Sequence, residues 1–331
     1  MNLLPFERSE SVVLKKRGSE SSSKYGVLPE KRKTEELISY GIVNIDKPSG
    51  PSSHQVSDYV KKILGIGKAG HSGTLDPKVT GSLPVALGRG TRVVQALLVA
   101  GKEYVGIMHL HKEVDDALLA ETCSHFVGKI DQLPPVKSSI KRRLRQRKVY
   151  YFEILDRMGK DVMFKAGVQA GTYIRKLVHD IGERLGCGAH MHELRRTKAG
   201  PFSEDTMVTL QELSDAFHFY KKEGREEYIR KLIQPVEHGV VHLPKVWVMD
   251  TTVDTICHGA SLKLPGIAKL DSGIVPGDMV AVMSLKDELI SIGAAMMKSK
   301  EMLKKNRGIG VRTSKVFMLP GTYPKIEGGA R

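Results

Sequence analysis

"GIVNIDKPSGPSSHQVSDYVKKILG", residues 41–65, holds two kinds of regularity side by side. Residues 41–47 are a short apolar run closed by Pro48, which reads as a strand. After a turn of Pro, Ser and Gly, residues Val56, Tyr59, Val60, Ile63 and Leu64 recur at i, i+3, i+4, i+7 and i+8. That spacing predicts one apolar face of an amphipathic helix. Ser52 and Gln55 have capping-box spacing, and Gly65 can end the helix. A strand feeding a capped helix places the chain in the mixed α/β (α+β) class.

The same reading extends outward. "KEYVGIMHL" (102–110) alternates like a strand, and "KVYYFEILDRMGKDVMFKAGVQ" (148–169) reads as two strands joined near Gly159. "TYIRKLVHDIGERLG" (172–186) predicts a second amphipathic helix, with Ile174, Leu177, Val178, Ile181 and Leu185 inward and Gly186 at its end. After "HLPKVW" (242–247) short strands dominate, with turn signals at Gly266, Gly273, Gly277 and within "KDE". The expected organisation is a polar, serine-rich extension over 1–36, a mixed α/β domain over 37–245 and a small β-rich domain over 246–331. The extension is expected to be flexible or to pack on the C-terminal domain. No internal repeat is visible.

Composition points to an anionic partner. Lysine and arginine number 52 against 37 acids in 331 residues, a formal charge of +15. Such an excess favours RNA or DNA first and an anionic membrane surface second. No apolar run approaches the roughly 18 residues needed to span a bilayer, and the N-terminus has no secretory h-region, so a cytoplasmic protein is expected. Cys123, Cys187 and Cys257 lie far apart with no C-x-x-C pair, which argues against a disulfide framework and against a metal site. Gly65, Gly67 and Gly70 satisfy G-x-G-x-x-G, but a helix precedes them and an irregular loop follows, the wrong context for a dinucleotide. No G-x-x-x-x-G-K-[ST] occurs. No cofactor is expected.

The loop "KAGHSGTLDP" (68–77) carries one acid, Asp76, between glycines and Pro77. The residue before proline is driven toward extended backbone, and Gly70 and Gly73 permit tight turns and close approach. A carboxylate held in this way can act as nucleophile, base or electrostatic anchor. It can equally hydrogen-bond its own loop, as Asp does in many turns.

"GIVNIDKPSGPSS", "GHSGTLDPKVTGSLPVALGRGT", "KEYV", "GTYIRKL" and "ELRRTKAGPF" occur together in this order. The set closely resembles the pseudouridine synthases of the bacterial tRNA elbow-loop type. Within that group it is most similar to the archaeal, dyskerin-like catalytic subunits of H/ACA guide-RNA particles. The resemblance runs from about residue 36 to 325 and includes a C-terminal part similar to the PUA RNA-binding module ("ICHGA", "GDMVAV", "FMLPGTYP").

The resemblance implies a mixed, largely antiparallel sheet flanked by helices, followed by a small β-barrel-like domain. It also implies isomerisation of uridine to pseudouridine, in ribosomal RNA through a guide and in the T-loop of tRNA. Asp76 then becomes the essential carboxylate, either adding to C1′ of the sugar or removing a proton from C2′. An ionised acid in a pocket that excludes water needs a cationic partner, and Arg175 matches the family arginine that pairs with it. Tyr104 matches the aromatic that stacks on the target base. Lys47 and Leu194 match supporting pocket positions, and His71 matches the side chain that fills the space an extruded base leaves. The basic run "VKSSIKRRLRQRKVY" (136–150) falls where the family has a mobile thumb loop, so Lys141, Arg142, Arg143, Arg145 and Arg147 are expected to contact phosphates. The implied partners are an H/ACA guide RNA, substrate rRNA and tRNA, and three small core proteins: one with a zinc ribbon, one that binds the thumb loop and one that binds kink-turns. A non-catalytic RNA scaffold is the rival reading, which the set Asp76, Tyr104 and Arg175 opposes.

Overall fold

The computed structural model describes residues 3–8, 11–134 and 143–325. Its larger sheet has ten strands. From edge to edge the main path is Met207–Val208, Gly41–Lys47, Thr80–Leu87, Ala189–Ala199, Lys102–Leu110, Asp161–Val168, Arg145–Met158 and Gly128–Gln132. Two short strands join it from the side, Ile233–Pro235 against Gly41–Lys47 and Ala69–His71 against Thr80–Leu87. Pairing is antiparallel except where Met207–Val208 meets Gly41–Lys47 and where Thr80 and Gly81 meet Arg195 and Arg196. That second, parallel contact joins the two halves of the sheet. It runs so close that a Cβ on Gly81 (φ +99°) would lie 2.3 Å from the Arg196 carbonyl oxygen.

The predicted helix forms over Ser53–Leu64. Ser52 and Gln55 complete a reciprocal capping box, and Gly65 ends the helix in the left-handed region (φ 62°). Val56, Val60 and Leu64 are buried, while Tyr59 is 40% exposed because it lies at the margin of the apolar stripe. The second predicted helix forms over Ile174–Arg184 and buries Ile174, Leu177, Val178 and Ile181 against the sheet. Leu185, expected inside, caps the helix C-terminus and packs only partly against that core.

A second sheet of seven strands contains Lys245–Val248, Ile267–Asp271, Met279–Met283, Leu289–Ala295 and Ile309–Val316, with Leu262–Lys263 at one edge. Its other edge is supplied from the N-terminal extension by Val13–Lys15, antiparallel to Ile267–Asp271. Two short helices, Asp250–Cys257 and Ser299–Lys304, interrupt a region where the sequence pattern led us to expect mainly short strands. The first contains Thr251, Thr252, Val253 and Thr255, poor helix formers. Burial of Val253, Ile256 and Cys257 holds it in place. One apolar cluster joins the two sheets: Ile42, Val93, Leu97 and Phe202 pack with Trp247, Ala281, Ile292 and Phe317.

Candidate active site

The loop 72–79 hangs between the Ala69–His71 and Thr80–Leu87 strands. It forms one wall of a cleft of about 680 Å³. Asp76, Tyr104, Arg175 and Leu194 all line this cleft, although they come from four separate segments of chain. Arg175 sits in the first turn of the Ile174–Arg184 helix and donates from Nη2 to Oδ2 of Asp76, 99 residues away in sequence. The pair lies at the mouth of the cleft, with side-chain exposures of 54% for Asp76 and 61% for Arg175. The expectation of a pocket that already excludes water is therefore not met by the free chain. A bound nucleotide would have to cover the pair.

Beneath the wall, Lys47 ends the Gly41–Lys47 strand completely buried. Its Nζ donates to the carbonyls of Pro48 (2.8 Å), Pro77 (2.8 Å) and Val79 (2.9 Å), so one ammonium ties the strand to both sides of the Asp76 turn. Burial lowers its pKa and the nearby Asp76 carboxylate opposes the shift. Ser53, at the start of the first helix, braces the same loop: its Oγ accepts from the Leu75 amide (2.8 Å) and donates to the Leu75 carbonyl (3.1 Å). Gly73 adopts φ +134°, which only glycine takes readily, whereas Gly70 lies in a strand where a Cβ would meet nothing closer than 3.6 Å.

Tyr104 is almost buried on the Lys102–Leu110 strand, in register with Arg196 of the neighbouring strand. Leu194 stands two residues before Arg196 in the chain and completes the apolar side. His71 does not line the cleft but sits at its rim, half-buried, with its Nδ1 accepting weakly from the Gly73 amide (3.4 Å). Burial pushes its imidazole pKa down, with Arg196 and His54 adding to the shift.

Of the basic run, Lys141 and Arg142 lie outside the described residues. Arg143 is exposed beside the Arg145–Met158 strand. Arg147 points back toward the cleft, donating from Nε to the Gly171 carbonyl (3.1 Å) and from Nη1 to Gln146 O (3.1 Å).

Two cleft residues escaped the sequence reading although each lies in a quoted motif. Lys102, from "KEYV", is 5% exposed, and Arg196, from "ELRR", is 1% exposed. Lys102 Nζ donates to the carbonyls of Ala100 (2.7 Å) and Leu97 (2.8 Å), at the end of the Val94–Val99 helix. Burial and the Arg196 guanidinium push its pKa down to about 7. Arg196 donates from Nε to Ser82 O (2.7 Å) and from Nη2 to Gly73 O (3.2 Å). The available signal was a lysine two residues before Tyr104 on the same face of a strand that is otherwise apolar there.

Comparison with known proteins finds matches over 98% of the chain. Residues 61–174 match the TruB family pseudouridylate synthase N-terminal domain, and 175–241 match the tRNA pseudouridylate synthase B C-terminal domain. Residues 244–317 match the PUA domain and 4–57 the DKCLD domain. A probable tRNA pseudouridine synthase B of Pyrococcus furiosus is 55% identical over 98% of this chain and 96% of its own. The one from Thermococcus onnurineus is 57% identical over 98% of this chain and 97% of its own. A solved Cbf5–Nop10–Gar1 complex contains a chain that superposes with a TM-score of 0.95 at 55% identity, covering 98% of this chain and 99% of that one. A second, in an H/ACA ribonucleoprotein bound to a substrate RNA containing 2′-deoxyuridine, gives 0.92 at 54% identity, with coverage of 98% and 99%.

Proposed function

The chain belongs to the TruB family of pseudouridylate synthases, and on that premise we propose that it isomerises uridine to pseudouridine in RNA with Asp76 as the essential carboxylate. In this reading it is the catalytic subunit of a cytoplasmic H/ACA guide-RNA particle with small core proteins of the Nop10 and Gar1 kinds. The relatives' name also favours action on tRNA. The observation that carries the assignment is the Asp76–Arg175 pair at a cleft whose other sides are Tyr104 and Leu194.

The reaction breaks the C1′–N1 bond of the nucleotide, turns the base and rejoins it through C5. Asp76 either adds to C1′ or takes the proton from C2′. Arg175 holds the reacting oxygen toward the sugar, and Lys47 fixes the backbone that bears it. Tyr104 stacks on the base, Leu194 supplies apolar contact, and His71 at the rim fills the gap left in the RNA when the base swings out. A base leaving its stack costs a few kcal/mol, which the pocket contacts must offset. Arg143, Arg145 and Arg147 hold the RNA through its phosphates, and the unit from about residue 246 anchors one end of it.

An isomerisation assay on ribosomal and tRNA fragments, with and without guide RNA and core proteins, tests the reading. Pseudouridine at guided positions is expected from the wild-type chain and not from Asp76→Asn. Equal activity of the two would overturn the role of Asp76, and no pseudouridine from the wild-type chain would leave an RNA scaffold as the alternative.

A further inference from the structure

We propose that Lys102 and Arg196 form a cationic floor under the target base that takes up the negative charge released when its C1′–N1 bond breaks. The proposal rests on the pseudouridine synthase reading above. Whichever way Asp76 acts, the electron pair of the C1′–N1 bond leaves with the base. The product of that step is a uracil anion, its charge spread over N1, O2 and O4. The C1′–C5 bond then forms, C5 gives up its proton, and N1 takes one, so the whole is neutral. In a water-poor cleft the anion needs positive charge that is already in place. At the mouth, Asp76 is negative and Arg175 is spent on it.

The floor meets that need. Arg196 is in register with Tyr104 on the adjacent strand, so their Cβ atoms are cross-strand neighbours beneath the same base. Lys102 is two residues from Tyr104 on the same strand face. Both side chains line the cleft and both are all but buried. A buried cation is costly unless a carboxylate pairs with it, and among the described residues neither has one: their partners are the carbonyls of Leu97, Leu98, Ala100, Ser82 and Gly73. The nearest acid in sequence, Glu103, faces the other way and is engaged by Tyr151 and Thr197. Lys102 has its protons on carbonyls and acts through its charge alone, which a pKa of about 7 makes complete only below neutral pH. Arg196 uses Nε and Nη2, while Nη1 donates to no atom among the described residues. It is a donor available to a uracil carbonyl oxygen.

The test compares uridine with 5-fluorouridine at the target position of the same RNA, at saturating RNA in the full assembly, under single turnover. Fluorine makes the base a more stable anion, so a cationic floor matters less to its departure. Arg196→Gln is expected to slow conversion of uridine by about 100-fold or more, the loss typical of one oxyanion donor. It should slow consumption of 5-fluorouridine at least tenfold less, with RNA affinity within a few-fold of wild type. Lys102→Met is expected to show the same preference with a smaller loss, and Arg196→Lys to lie between Arg196→Gln and wild type. Equal slowing of both nucleotides by every variant would overturn the proposal and make the pair a support for the Gly73 loop. A weakened, less salt-dependent RNA affinity with no change in the nucleotide ratio would overturn it too, assigning the pair to a phosphate. If Arg196→Gln does not fold, the ratio measured for Arg196→Lys and Lys102→Met decides. A wild-type chain inactive on both nucleotides would instead remove the proposed function, and this inference with it.

Discussion

Lys47 Nζ lies 2.8 Å from the carbonyl oxygen of Pro77, 30 residues further along the chain, and bridges to Pro48 and Val79 as well. The turn that presents Asp76 is thereby fastened to a central strand of the sheet by a single buried ammonium. Lys47→Met leaves the buried Val79 carbonyl short of a donor, an omission worth about 1–3 kcal/mol, and leaves the part-buried carbonyls of Pro48 and Pro77 to find water. We expect a fall in thermal stability and a loss of turnover larger than the loss of RNA affinity. A variant with wild-type turnover would mean that the loop holds its shape without the lysine.

At the mouth of the cleft, Asp76→Asn keeps the shape of the side chain and removes its charge. Isomerisation should vanish while RNA binding, carried by phosphates, stays within a few-fold. Arg175→Ala should lose more activity than Arg175→Lys, because a lysine keeps the charge but not the planar fork of donors. Single-turnover rates for the three variants check this order, and full activity of Arg175→Ala would show that the ion pair is incidental.

Local signals made the first helix legible. The Ser52–Gln55 capping box, the spacing of Val56, Val60 and Leu64, and Gly65 all act within a few residues of one another. The Asp76–Arg175 contact is of another kind. It depends on the parallel meeting of Thr80–Gly81 with Arg195–Arg196, a pairing that no periodicity announces. Only the resemblance of "GHSGTLDP" and "GTYIR" to a known family brought the two residues together in advance. Lys102 and Arg196 stayed hidden because a cation reads as surface by composition, and only the fold reveals that these two are enclosed. Helix Asp250–Cys257 was missed for the converse reason, since tertiary burial overrode weak local propensity.

The basic start of the Arg145–Met158 strand permits a quantitative test. Each lost phosphate contact should reduce the slope of log K against log salt by about 0.7 for single-stranded and about 0.9 for duplex RNA. Arg143→Ala and Arg145→Ala should act in this way with little effect on the rate at saturating RNA. Arg147→Ala is expected to differ, because its guanidinium also secures Gly171 in the cleft wall. It should lower the saturated rate. An unchanged salt slope for all three would mark the run as a solvated or protein-binding face.

His242 adds a pH dependence of stability. It is half-buried beside Ala96, donating from Nε2 to that carbonyl at 3.1 Å, and its loss of solvent pulls its pKa down to about 4 from an unfolded value of 6.5. Below 6.5 the unfolded chain binds a proton that the folded chain does not. The contribution is therefore complete above pH 6.5 and lost as pH falls through 6.5 toward 4, reaching on the order of 3 kcal/mol. His242→Gln can keep the hydrogen bond and cannot titrate. Its midpoint in urea should fall less than that of wild type between pH 7 and 5, and parallel curves for the two would exclude His242 as the source.

The two sheets are joined through one shared apolar cluster. Trp247 belongs by sequence to the C-terminal unit, yet its ring lies in one cluster with Ile42, Leu97 and Phe202 from the catalytic side. Its Nε1 donates to Asp287 (2.6 Å), and Lys269 Nζ lies 4.6 Å from its ring centroid. The N-terminal strand Val13–Lys15 closes the far edge of the same sheet, so three separate stretches of chain meet there. A chain ending at Leu243 would leave Ile42, Leu97 and Val240 facing water, and we expect it to aggregate rather than survive as a free catalytic domain. Trp247→Ala is the gentler probe. Emptying that site should cost about 3–5 kcal/mol and uncouple the two sheets, so one unfolding transition in urea becomes two. If Trp247→Ala unfolds in a single step at the wild-type midpoint, the shared cluster does not hold the sheets together, and the catalytic part would be expected to stand alone.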